Sequence, residues 1–160
     1  MPSKKEEVYL SRGEQLVNIT LVKAIKIIKK KYNINPCGIS AAMPGGPIQK
    51  LGLCFDTRYP YTKEQLREIV IGSAQELLDQ VNKNEEIQEF LKVRPFTIKN
   101  IQIIIYNHDK NGGDLLDPEI ATAQILRGTL SYRTTDPENT FVFKNRFYES
   151  YEEGLQALNR

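Results

Sequence analysis

From Gly13 to Tyr32, apolar side chains recur every three or four residues: Val17, Leu21, Ala24, Ile25, Ile28 and Tyr32 fall on one side when successive residues are turned by about 100°. The spacing predicts an amphipathic helix with that stripe buried. Away from the stripe stand Lys23, Lys26, Lys29, Lys30 and Lys31, and among them Leu16, Ile19 and Ile27. These three apolar chains lie outside the core stripe and call for a second cover, whether a loop, a crossing helix or a second subunit, and Leu16, Ile19, Ile27, Lys23, Lys26 and Lys30 are the candidate interaction surface.

The glycine- and proline-rich stretch CGISAAMPGGPIQK, residues 37 to 50, breaks the helical period and reads as a change of direction. IQKLGLCFD then alternates, with Leu51, Leu53 and Phe55 on one side, and predicts a strand with one buried face. After the turn TRYPY, Thr62 and Gln65 have capping-box spacing. Leu66, Ile69, Val70, Ser73, Ala74, Leu77, Leu78 and Val81 keep one helical stripe behind them. EEIQEFL predicts a short helix. TIKNIQIIIY predicts a central strand through Ile101, Ile103 and Ile105. EIATAQIL and TLSYRT form a hairpin around Arg127 and Gly128, and TFVFKNRF adds a last strand. Tyr148, Tyr151, Leu155 and Leu158 predict a closing helix.

The expected order is α-β-α-α-β-β-β-β-α, an α+β fold in which helices pack on a mainly antiparallel sheet of about four or five strands. Residues 1–12 form a loose polar arm, and residues 13–160 a single domain, as suits a chain of 160 residues. With 40% hydrophobic and 26% charged residues the chain can build a core. No apolar run is long enough to span a bilayer, because Lys23 and Lys26 interrupt the best candidate. The same lysines spoil it as a secretion signal. The expected location is the cytoplasm by default, or beyond it if an upstream leader has been removed.

Charge changes the picture. The net charge is +2, yet residues 1–32 hold eight Lys/Arg against three Glu, and the rest hold fourteen against seventeen acids. Such asymmetry marks either an anionic partner or a basic helix resting beside an acidic body. Lysine stems mixed with apolar tips also suit weak, salt-sensitive association with an anionic membrane surface.

Candidate chemistry is sparse. Residues 37 to 50 lack the strand-loop-helix order and the Lys-Ser/Thr pair of a phosphate-binding loop. One histidine, His108, and two cysteines, Cys37 and Cys54, leave no multi-histidine metal site and no disulfide framework. NHDKNGGD misses the glycine and glutamate of a calcium loop and reads as a turn in which a glycine takes positive φ. No nucleophile motif is present, and TFVFKNRF shares only aromatic alternation with RNA-recognition motifs. No cofactor, metal or specific nucleic acid is therefore expected. A small enzyme would need a site assembled from loops 37–47, 56–61 and 107–114, using Asp56, Arg58, Tyr59, Tyr61 and His108. The preferred expectation is a non-catalytic binding or interaction module, with a protein partner or a second copy as its occupant.

VNKNEEIQEFLKVRPFTIKNIQIIIY and SYEEGLQAL resemble a group of uncharacterised bacterial hypothetical proteins from host-associated species. The resemblance covers roughly residues 37 to 158. It implies a recurring compact domain and transfers no activity and no site residue.

Overall fold

The computed structural model describes residues 11–159. Helix α1 spans Arg12–Tyr32. The Ser11 hydroxyl accepts the Glu14 N–H at its start, and Asn33, in the left-handed region, donates its N–H to Lys29 O at its end. Lys29, Lys30 and Lys31 occupy its last turn, where positive charge opposes the helix dipole. Lys31 also lies 3.6 Å from Glu76 of the next helix, so part of the basic run is matched locally. Of the predicted arm, residues 1–10 lie outside the described residues.

The sheet has six strands in sequential order: β1 Asn35–Ala42, β2 Lys50–Thr57, β3 Ile101–Asn107, β4 Thr122–Leu126, β5 Thr129–Thr135 and β6 Phe143–Ser150. Every neighbouring pair is antiparallel except β2 and β3, which run parallel. That exception follows from the crossover: helix α2, Lys63–Lys83, intervenes between them. The capping box is present, with Thr62 N–H donating to Gln65 Oε1 at 2.9 Å and Gln65 N–H to Thr62 Oγ1 at 3.2 Å. Helix α3, Tyr151–Ala157, closes the chain with a second box between Ser150 and Glu153.

The α+β class stands, with three corrections. The sheet is mixed and one strand larger than expected, because NPCGISAA forms an edge strand. Most of it is solvent-exposed, so no buried alternation marks it; its ladder with β2, bulged at Cys37, makes it a strand. The EEIQEFL segment is a single 3₁₀ turn at Gln88–Phe90 and not an α-helix. The last strand also extends through Tyr148, which the period had assigned to the closing helix.

All three helices share one apolar core with one side of the sheet. Leu53, Phe55, Ile103, Ile105, Ala123, Ile125, Leu130 and Tyr132 are buried there against Leu21, Ile28, Val70, Ala74 and Leu77. Alternation along the strands sends the remaining side chains to the opposite face. There Cys54, Gln102, Ile104, Tyr106, Gln124 and Arg133 are only partly covered or exposed, and the helices of the described residues pack on the other face.

Candidate functional site

The carboxyl ends of the parallel strands β2 and β3 bring together two of the three predicted loops. His108 Nδ1 lies 2.6 Å from Asp56 Oδ1, at an angle outside that of a hydrogen bond. The N–H of His108 donates to Thr57 O at 2.9 Å and extends the ladder past Asn107. Asn107 accepts from Tyr61 N–H and donates to Tyr61 O and Ile120 O, which fastens the 56–61 turn. The Tyr59 and Tyr61 rings sit 5.2 Å apart. Beyond them, Asp109 Oδ1 accepts the N–H groups of Asn111 and Gly113, each at 2.8 Å. These backbone hydrogen bonds, that of Gly113 foremost, hold the Asp109 carboxyl below its ordinary range. Gly112 takes φ 84°, the positive-φ turn position that the sequence implied, and its α-carbon is backed by the Arg58 guanidinium.

The third loop does not join them. Strand β1 pairs Asn35 with Asp56 and Ala42 with Lys50, so the turn after Ala42 lies at the other end of the sheet, about 20 Å away along strands rising about 3.3 Å per residue. Only Cys37 approaches Asp56. Burial first, then a hydrogen bond to Cys54 and the negative charge of Asp56, push its thiol up to about 12. Among the described residues, no group of His, Cys, Asp and Glu is placed to hold a metal ion.

The predicted surface of α1 is divided. Leu16 is 3% exposed and belongs to the core, which corrects its assignment to an exposed surface, and it lines the base of the α1 groove only as a core residue. Ile19 and Ile27 remain exposed at 45% and 37%. Ile19 and Lys23 line a shallow groove of about 520 Å³ with Arg12, Gln80, Lys83 and Glu86. Lys26 and Lys30 are exposed on the same helix. No helix among the described residues is long and apolar enough to cross a membrane.

The open face of the sheet carries the residues that sequence reasoning missed. Successive ladders align Asp56, Tyr106, Thr122, Arg133 and Arg146 in one row across β2 to β6. Arg133 and Arg146 are directly opposed, and both guanidinium carbons lie over the Phe143 ring, at 5.2 and 5.6 Å. Among the described residues neither arginine has a carboxylate partner. The nearby acids are engaged elsewhere. Asp56 faces His108, and Asp117 accepts from Thr134 Oγ1 at 2.7 Å and Asn145 Nδ2 at 2.8 Å, which lowers its pKa. Arg133 Nε is buried without a hydrogen-bond partner.

The next row holds Cys54, Ile104, Gln124, Ser131 and Tyr148. Tyr106 and Tyr148 are 41% and 63% exposed, a large aromatic area to leave on one sheet face. The alternation of TLSYRTT, with Tyr132 inward and Arg133 outward, was the available signal. Nothing in the sequence aligned it with Arg146. Comparison with protein-family models, with curated proteins and with solved structures finds no match.

Proposed function

We propose that this chain is a non-catalytic binding module that holds an anionic ligand on the open face of its sheet. The observation that carries this reading is the opposed pair Arg133 and Arg146, stacked on one ring and lacking a carboxylate partner among the described residues. Like charges directly across a ladder repel. An oxyanion between them removes that repulsion and accepts hydrogen bonds from the planar guanidinium groups. The unpartnered Arg133 Nε gains an acceptor in the same step.

The test is a side-chain NMR titration with inorganic phosphate against chloride at matched ionic strength. Phosphate is expected to shift the Arg133 and Arg146 Nε resonances and the Phe143 ring, and Arg133→Gln/Arg146→Gln to abolish the response. Shifts scattered over the surface lysines, or none, would sink the reading.

A second reading, a small catalytic site, is favoured by the close approach of Asp56 and His108. Its weakness is the nucleophile: the thiol that shares the field of Asp56 is held protonated at neutral pH. Turnover of activated esters or phosphate esters that disappears in His108→Ala would favour catalysis over binding.

A further inference from the structure

The open face has a second cationic end. A cavity of about 410 Å³ at the opposite edge of the same sheet is lined by Ala42, Gln49, Lys50, Lys99, Asn100 and Arg127. It contains three cations and no carboxylate, and among the described residues none of the three cations forms an ion pair. Lys50 alternates with Cys54 and Asp56 onto the open face. Arg127 occupies the first turn position of the β4–β5 hairpin with φ 52°. Asparagine, aspartate or glycine suits that conformation better, so an arginine held there is a local cost that a role for its charge explains.

The strand geometry separates the two ends. Arg133 lies four positions along β5 from Thr129, the residue after the hairpin turn, which puts the arginine pair about 13 Å or more from the hairpin cluster. One small anion cannot reach both ends. An extended chain carrying repeated negative charges can. On the same face the exposed ring of Tyr106 lies in the arginine row, two strands from Arg133, and the exposed ring of Tyr148 lies one row nearer the hairpin, with Gln124 in its row and Gln102 beyond.

We infer that the occupant of the open face is a single-stranded nucleic acid, its phosphates held by Arg133 and Arg146 at one end and by Lys50, Lys99 and Arg127 at the other, with bases stacked on Tyr106 and Tyr148. The inference rests on the anion-binding reading and adds the ligand class. Charge complementarity at both ends selects a polyanion. The rings select one whose repeating unit carries a flat π-system, since base stacking on exposed aromatics tolerates any sequence. An acidic peptide gains no stacking from two exposed tyrosines beside the arginine pair. Stacking on surface rings and phosphate contacts carry no base-edge readout, so binding is sequence-tolerant and falls steeply with salt.

The test is fluorescence anisotropy of the full chain with labelled oligo-U RNA and oligo-dT, competed by inorganic polyphosphate and by poly-glutamate. Oligonucleotide affinity is expected to fall with rising salt. It should drop about a hundredfold in Tyr106→Ala/Tyr148→Ala, about tenfold for each of the two stacking contacts removed, while polyphosphate affinity stays unchanged. Arg133→Gln/Arg146→Gln and Lys50→Gln/Arg127→Asn should each weaken both probes. Tyr106, Tyr148, Arg127 and Arg146 are exposed and Lys50 and Arg133 half-buried, and circular dichroism with thermal melting of each variant separates lost binding from lost folding. Polyphosphate binding at the arginines without oligonucleotide binding overturns the nucleic-acid inference and leaves the anion receptor standing. Equal competition by poly-glutamate, or indifference to the tyrosine variant, also overturns the inference. Failure of both phosphate-bearing probes removes both readings.

Discussion

Arg67 and Glu149 are joined by two hydrogen bonds, Nε to Oε1 at 2.7 Å and Nη2 to Oε2 at 3.0 Å, with only 12% and 14% of their side chains exposed. The Tyr132 hydroxyl donates to the same Oε1 at 2.5 Å. This fork ties helix α2 to β5 and β6 on the covered side of the sheet. Burial alone would raise the Glu149 pKa; the bonds from Arg67 and Tyr132 outweigh it and hold the carboxyl below its ordinary range.

A depressed carboxyl stabilises the fold above the unfolded value of about 4.3 and loses that contribution as pH falls through the folded value. Urea midpoints measured from pH 7 to 3 should therefore fall on the acid side, and less steeply in Glu149→Gln than in the parent. Arg67→Met, which leaves a carboxylate without its cation, should cost about 2–3 kcal/mol at pH 7. Equal acid slopes in parent and Glu149→Gln would remove this account.

The β4–β5 turn sets binding against stability. Arg127 and Gly128 have φ 52° and 78°, and Arg127→Asn relieves an unfavourable left-handed residue. It should raise stability by about 0.5 kcal/mol, readable as a higher melting temperature. Gly128→Ala should lower stability by about 1 kcal/mol. Arg127→Asn melting below the parent would contradict the assignment of strain.

Leu16 and Ile27 separate packing from surface. Leu16→Glu forces a charge into the core and is expected to leave little folded protein at room temperature. Ile27→Glu, on a side chain 37% exposed, should change stability by less than about 0.5 kcal/mol. Circular dichroism melts of the two variants decide this. A well-folded Leu16→Glu would place that side chain outside the core.

Cys37 is exposed as a residue, yet its thiol is turned toward Cys54 and is pushed up to about 12 by burial, the Cys54 hydrogen bond and the charge of Asp56. Because the thiolate is the nucleophile, iodoacetamide at pH 8 should alkylate Cys37 more than about tenfold slower than an unperturbed cysteine. Time-resolved mass spectrometry of the native chain reads this rate directly. Labelling at the rate of a free thiol would exclude the buried-thiol description.

Legibility in the sequence followed the source of each signal. The Thr62–Gln65 box, the stripe from Leu66 to Val81 and the alternation of Ile101, Ile103 and Ile105 are local patterns written within one segment, and each appears where the period put it. Strand β1 was hidden because Gly38, Ser40 and Ala41 have little strand preference of their own; hydrogen bonding to β2 makes them a strand. Leu16 was misassigned because a wheel resolves the angle around a helix but not which neighbour covers it at each level. The Asp56–His108 approach needed the parallel register of β2 and β3, and the opposed arginines needed the β5–β6 ladder. Both are relations between segments, which spacing along one chain does not encode.

The single parallel pair also has a kinetic consequence. Strands β3 to β6 form a meander of neighbours, and β1 and β2 form a short hairpin, so both pieces draw on local contacts. Joining them requires residues 58–100 to close as one loop before β2 meets β3. That closure is expected to limit the folding rate. Conservative truncations at Leu53 or Ile103 should slow refolding in stopped-flow measurements, while truncation at Phe147 on the outer strand should chiefly speed unfolding. The ladder that brings Asp56 to His108 is thus the seam along which two independently formed pieces become one sheet.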